Sequence, residues 1–266
     1  MKSKHTLIIG LLALGLAMGF SLKARADAQQ TIRYSSSAQV HAILTDDMLA
    51  AFTRETGIGV DLYVCSSEAA LHRLYNRVSD VASTGEHIYF PEGDYGYMET
   101  PLFKAPLVVI THKGNAVETL TENQLRDIFS GRVTNWKAVG GPDQAIVVIV
   151  PGKNTAAFRN FSMLALRRVD ISYAIMTYQS TMVVETVGYI PWSISFITKG
   201  SGQRDAAVKI LKVIGHAHTD AAYPYFQEFS MVTKGQPAGA VKNFLGYLTS
   251  DRIMASLKSQ GVVPLK

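Results

Sequence analysis

Residues 146–150 read IVVIV, an unbroken run of β-branched apolar side chains. A half-exposed strand alternates apolar with polar residues. This run does not, so it calls for a strand buried on both faces. Strand and helix patterns alternate around it. Residues 31–34, 60–64 and 107–111 read as strands, while Leu44, Met48, Ala51 and Phe52 repeat at helical spacing up to a stop at Gly57. A second helix opens at Ser66-Ser67 with the stripe Ala70, Leu71, Leu74 and Val78. Phe158, Phe161, Leu164 and Ala165 mark a helix after the buried strand, and Ala207, Ile210, Leu211 and Ile214 suggest another, ended by Gly215. Val241, Phe244, Leu245 and Leu248, then Ile253 and Leu257, mark the last two. Strands alternating with helices predict an α/β fold with mostly parallel sheets.

The first 26 residues stand outside that pattern. Lys2, Lys4 and His5 precede an apolar run over 6–20, and Ala24-Arg25-Ala26 is a small-x-small cleavage signal. Together they read as a secretory signal peptide, with Ala26-Asp27-Ala28 as a second possible cut. The run of about 15 residues is short of the roughly 20 that span a bilayer, which argues against an uncleaved anchor. No Cys lies near the cut, so no lipid anchor is expected. Four of the 26 Lys and Arg residues (Lys2, Lys4, Lys23, Arg25) lie in this leader, and none of the 21 Asp and Glu residues does. The mature chain is thus close to neutral, and nucleic acid is not implied as a partner. Cys65 is the single cysteine, so no internal disulfide can form. The mature form is expected to be soluble, periplasmic and not membrane-embedded. It is long enough for one large domain or two lobes.

Residues 120–136, LTENQLRDIFSGRVTNW, carry a well-marked helix. Thr121 is placed to cap it, with Gln124 completing a capping box and Leu120 with Leu125 closing a hydrophobic staple. Leu125, Ile128 and Phe129 form its buried stripe, and Gly131 is placed to end it in a left-handed turn. The wording resembles the central segment of the phosphate-binding proteins of bacterial ABC importers, roughly L-T-x-x-Q-L-x-x-I-F-x-G-K-I-x-x-W. Two further stretches are similar to that family and stand in its order. One is AFTRETGIGVDLYV near the start, the other VTKGQPAGAVKNFLGYLTSDRIMASLKSQGVVPL at the end.

The resemblance implies a type II periplasmic-binding-protein fold: two α/β lobes joined by two extended crossings, with the ligand in the cleft between them. It places residues 27–110 with 227–266 in a discontinuous first lobe and 111–226 in the second, with crossings near 107–111 and 226–233. The implied partners are inorganic phosphate or another oxyanion and an ABC permease. No cofactor is implied, and a monomer is expected.

Such folds hold oxyanions with backbone N–H groups and hydroxyls at helix N-termini, where the helix dipole favours negative charge. Four loops have that form here: Ser35-Ser36-Ser37-Ala38, Cys65-Ser66-Ser67, Ser83-Thr84-Gly85 and Gly152-Lys153-Asn154-Thr155. The candidate ligand-binding residues are Ser36, Ser37, Ala38, Ser66, Ser67, Ser83, Thr84, Gly152, Lys153, Asn154 and Thr155. Ser67 falls at a phosphate-contacting serine of the family, and Gly152 and Thr155 match the first glycine and final threonine of its R-x-D-G-S-G-T loop. Other positions depart. The loop's arginine is Ile149 and its serine Lys153, the acidic residue that accepts a phosphate proton is Gly85, and a threonine of the first loop is Gln39. Lys153 could supply charge from beside the arginine position, though it makes a poorer fork. Glu86 could serve as the acid only with a register shift, and Glu68 competes with an anion for its helix terminus.

No nucleophile elbow or Cys-His motif is present, so no enzymatic activity is expected. His216-Ala217-His218-Thr219-Asp220 reads as a solvated loop rather than a metal site. His41, His72, His87 and His112 are scattered, and Gly200-Ser201-Gly202 reads as a flexible turn. Tyr223, Tyr225, Phe226 and Phe229 read as packing beside a crossing, and Trp136 and Trp192 as core or inter-lobe residues. The expected function is capture of phosphate or a related oxyanion for an ABC importer. The lost arginine and acid motivate an alternative, a repurposed fold acting as a sensory or protein-interaction module with a membrane sensor as partner.

Overall fold

The computed structural model describes residues 30–86, 96–178, 181–199, 206–220 and 222–265. The leader, His87 and Gly200-Ser201-Gly202 lie outside them. One continuous sheet path runs through the molecule. β1 (Thr31–Ser37) is flanked in parallel by β2 (Gly59–Cys65) and β3 (Val81–Thr84). β11 (Phe226–Lys234) lies antiparallel to both β3 and the long β4 (Tyr97–His112). At Pro106 β4 changes partners. Residues 97–106 pair with β11, whereas 107–111 pair antiparallel with β8 (Ser193–Thr198). β8 is parallel to β6 (Val147–Pro151), which is parallel to β7 (Ile175–Thr177). Tyr223 Oη donates to the Leu107 carbonyl at 2.7 Å and the Leu107 N–H donates to the Tyr225 carbonyl at 3.0 Å, so the two chain passages are tied where they leave one half for the other.

Each half has its own core. In the first, α1 (Ala38–His41), α2 (Asp46–Thr56), α3 (Ser67–Tyr75), α7 (Gly239–Leu248) and α8 (Asp251–Ser259) accompany β1 to β3. Tyr34, Phe52, Phe103, Phe229 and Phe244 centre its main cluster. In the second, α4 (Glu122–Phe129) and α5 (Ala156–Leu164) pack Phe129 and Phe161 against Trp136 and Phe196. On the other face, α6 (Thr181–Tyr189) brings Val183 and Val187 against Ile110 and Ile149. β6 therefore has Val148 and Val150 in one cluster and Ile149 in the other, the double burial its sequence demands.

The α4 signals are all realised. Thr121 Oγ1 accepts from Gln124 N–H at 3.2 Å, Gln124 Oε1 accepts from Thr121 N–H at 2.8 Å, Leu120 and Leu125 are buried in one cluster, and Gly131 follows the helix at φ 77°. Three expectations are corrected. Residues 207–214 are not helical. β9 (Val208–Ile210) pairs antiparallel with β4, and β10 (Lys212–Val213) pairs parallel with β5 (Thr119–Leu120). The run VKILKV also fits extended pairing, and the free edge of β4 selects it over the 3.6-residue spacing. Ile214, expected on a buried stripe, is 47% exposed in a left-handed turn with Gly215. Val78 lies beyond α3 and is exposed. The sheet is also mixed rather than mostly parallel, because β4 and β11, the strands that cross between halves, run antiparallel to their neighbours.

Candidate functional site

Parallel pairing of β1 with β3 brings their C-terminal ends together, and with them two of the hydroxyl-bearing loops. Ser36 Oγ lies 2.9 Å from Tyr34 Oη and 3.2 Å from Ser83 Oγ, and the Ser37 N–H donates to Ser83 Oγ at 2.9 Å. Ser37 Oγ caps α1 by accepting from the Val40 N–H at 3.3 Å, while Ala38, its first residue, is exposed. Burial lifts the Tyr34 phenol to about 12, so it stays neutral as a member of this chain of hydroxyls. α3 joins the group at its first turn. Ser66 Oγ caps it by accepting from the Ala69 N–H at 3.1 Å, and Ser67 Oγ accepts from the Gly85 N–H at 3.1 Å. Thr84 Oγ1 accepts from the Glu86 N–H at 2.9 Å. Ser36, Ser37, Ser67, Ser83 and Thr84 are all buried. A buried hydroxyl without a partner costs about 1–3 kcal/mol, and this cluster avoids that cost by mutual hydrogen bonding.

The fourth loop lies in the other half. Thr155 caps α5, accepting from the Phe158 N–H at 3.3 Å and donating to the Gly152 carbonyl at 2.7 Å. Lys153 Nζ stands 5.6 Å from the centroid of the Tyr173 ring, and Asn154 is exposed. Ile149 is fully buried in the core, so it presents nothing to the cleft. Among the described residues no hydrogen bond ties this loop directly to the other three. α5 makes the link from its second turn. Asn160 Nδ2 donates to the Gly85 carbonyl at 2.7 Å, and Arg159 donates from one terminal nitrogen to Glu86 Oε2 and from the other to Glu68 Oε2, each at 2.6 Å. Among the described residues Glu86 Oε1 is buried and has no hydrogen-bond partner. Burial pushes the Glu86 carboxyl above its ordinary value, although the Arg159 charge pulls it the other way.

Beneath these groups Gln39, Thr198 and Gln227 close a buried triangle. Gln39 Nε2 donates to Thr198 Oγ1 at 3.0 Å, Thr198 Oγ1 donates to Gln227 Oε1 at 2.9 Å, and Gln227 Nε2 donates to Gln39 Oε1 at 3.2 Å. The three side chains come from α1, β8 and β11, so the triangle spans both halves. Gln227 also packs on Gly85, where an added Cβ would meet its Nε2 at 2.1 Å and the Phe229 ring at 2.7 Å. A glycine at position 85 is thus required by its neighbours.

The structure joins Ser36, Ser37, Ser83, Thr84, Ser67 and Gly85 in one group, with Gly152 and Thr155 at the start of the helix that reaches it. Ala38, Lys153 and Asn154 lie away from these hydrogen bonds. Sequence reasoning missed Arg159, Asn160, Thr198 and Gln227. Arg159 carried a signal, since it stands four residues after Thr155 and so shares its side of α5. Elsewhere, Asp220 Oδ2 accepts from the Ala217 N–H at 2.8 Å in an exposed turn. Among the described residues no group of three or more His, Cys, Asp or Glu side chains could hold a metal ion. Cys65 is half-buried, and burial raises its thiol. Among the described residues no helix is long and apolar enough to cross a membrane.

Comparison with known proteins fits this architecture. The family model of the PBP superfamily domain matches residues 23–252. A phosphate-binding protein PstS of Borreliella burgdorferi is 23% identical over 257 residues, spanning 90% of this chain and 92% of that protein. Among solved structures, a putative phosphate ABC transporter substrate-binding protein from Clostridium perfringens, with phosphate bound, superposes with a TM-score of 0.79 at 22% identity over 89% of this chain and all of that one. An ABC-type phosphate transport receptor from Vibrio cholerae gives 0.73 at 24% identity over 87% of this chain and 99% of that one. The fold is the type II periplasmic-binding-protein fold of these structures, two α/β lobes joined by two crossings.

Proposed function

The chain belongs to the PBP superfamily, and we propose that it is an exported, monomeric solute-binding protein that takes up phosphate, or a related oxyanion, between its lobes and delivers it to an ABC permease. One observation carries this reading. The ends of β1 and β3 and the start of α3 gather buried hydroxyls and backbone N–H groups at a single place, and α5 of the other lobe reaches the same place. Hydroxyls of this kind can turn to donate to an anion, and the N-termini of α3 and α5 add favourable dipoles. Ser36, Ser37, Ser67, Ser83 and Thr84 form the first-lobe wall, with Gly152 and Thr155 opposite. The names of the relatives support phosphate as the first anion to test.

Calorimetry and thermal melts of the purified protein with phosphate, sulfate and molybdate test the proposal. Binding to the native state alone raises the melting temperature by mass action, about 2.7 kcal/mol of added stability at a hundredfold excess over Kd. Absence of both heat and a melting shift with all three anions at millimolar concentration would falsify it.

A further inference from the structure

The formal charge at the candidate site is at odds with an anion. Among the described residues three cationic side chains stand near the hydroxyl-bearing loops. Arg73 donates from Nε to Ser35 Oγ at 2.9 Å and lies over the Tyr63 ring at 3.9 Å, and Lys153 lies over Tyr173. Of these three, Arg159 reaches from the second lobe to the first, and there it meets two carboxylates. An arginine with two glutamates leaves that spot with a formal excess of one negative charge. Glu68 follows Ser67, and Glu86 follows Gly85, so both carboxylates stand beside groups of the first-lobe wall.

Resting on the oxyanion reading above, we infer that Arg159 is the anion-ligating cation of this cleft, and that Glu68 and Glu86 occupy it as internal carboxylate stand-ins which an incoming oxyanion must displace. The geometry favours exchange. Each terminal nitrogen of Arg159 serves a different carboxylate, so neither glutamate takes the guanidinium fork with both its oxygens. A tetrahedral oxyanion can present two oxygens to one fork, the arrangement arginine holds best. Glu68 is the displaceable partner. Its side chain is 48% exposed and regains water on release, whereas that of Glu86 is 17% exposed. The buried Oε1 of Glu86, unpartnered among the described residues, is an independent sign that this arrangement is incomplete without a further group.

Phosphate titrations by calorimetry of the wild type, Arg159→Gln, Arg159→Lys and Glu68→Gln test this, with circular dichroism showing that each variant is folded. The expected result is about a tenfold or greater loss of affinity in Arg159→Gln, a smaller loss in Arg159→Lys, and a several-fold gain in Glu68→Gln. Binding by Glu68→Gln where the wild type shows none would also support the exchange. Wild-type affinity in Arg159→Gln would overturn the role of Arg159 and leave the proposed function standing. Unchanged affinity in Glu68→Gln, beside a loss in Arg159→Gln, would overturn the displacement. No binding by the wild type, Glu68→Gln or the arginine variants would remove this inference and the oxyanion function together.

Discussion

Gly85 packs on β11, one of the two crossings, through a contact only a glycine permits. A methyl group there would stand 2.1 Å from Gln227 Nε2 and 2.7 Å from the buried Phe229 ring. Gln227 would have to leave its triangle with Gln39 and Thr198, so Gly85→Ala should cost about 1–3 kcal/mol of unfolding free energy in a urea titration. Gly152→Ala should cost less, because its nearest obstacle at 2.9 Å is the exposed Asn154 side chain. A larger cost at Gly152 would contradict this ordering. The same residue shows what a sequence can and cannot reveal. The serines at 36, 37, 67 and 83 were legible as a group because strand ends and helix caps announce themselves locally. Gly85 looked like a lost acid, since the side chain that fills its space comes from 142 positions later. Arg159 was hidden for the same reason: its partners lie 91 and 73 positions away. Asp80 offers a test by titration. It accepts from the Arg33 guanidinium and backbone N–H, and these hydrogen bonds hold its carboxyl below the ordinary 3.8. A depressed folded value means fewer bound protons in the native state, so the stabilisation is full above the ordinary value and lost as pH falls through the depressed one. Asp80→Asn should therefore cost about 1 kcal/mol at neutral pH, with the difference from wild type fading in acid. An equal difference at both pH values would exclude the pairing as its source.

Secondary-structure elements were legible where a local device specifies them and obscure where a neighbour decides. α4 has a capping box, a staple and a left-handed glycine within a dozen residues, all readable from one dimension. Thr121→Ala removes the cap bond from the Gln124 N–H, leaving only the backbone half of the box, and should lower stability by about 1 kcal/mol in thermal or urea melts. An unchanged melt would show that burial of Leu125, Ile128 and Phe129 alone holds the helix. Residues 208–213 behave in the opposite way. Val208, Ile210, Leu211 and Val213 fit either period, and the open edges of β4 and β5 select the strand. β8 escaped sequence reading because Ser193, Ser195 and Thr198 interrupt its apolar pattern, although all three are buried in the completed sheet.

At the scale of the molecule, the alternation of elements conveyed α/β layering, but only the resemblance suggested that the N- and C-terminal parts pack together. Ile32, Tyr34 and Phe52 share a core with Phe244, Leu248 and Leu257, and β4 pairs with β11 more than a hundred positions away, neither of which a local pattern encodes. That connection has a thermodynamic consequence. Phe244 anchors the first-lobe core with Tyr34 and Phe52 at ring separations of 5.4 and 5.1 Å, and Phe161 anchors the second, stacked on Phe196 at 4.0 Å. If the lobes were independent, Phe244→Ala would lower one unfolding transition and Phe161→Ala another. They share β4, whose residues 97–106 and 107–111 belong to the two sheets in turn, and Arg159, Asn160 and the Gln39–Thr198–Gln227 triangle add polar ties across them. Unfolding either lobe strips β4 of half its partners and leaves buried amides unpaired, a penalty of about 1–3 kcal/mol for each orphaned group. Each phenylalanine deletion should thus cost about 3–5 kcal/mol and shift one common transition, seen alike by Trp fluorescence, which reports the second lobe through Trp136 and Trp192, and by far-UV circular dichroism, which reports both. Two separated transitions in Phe244→Ala, with fluorescence unfolding at the wild-type midpoint, would show instead that the shared strand does not couple the lobes.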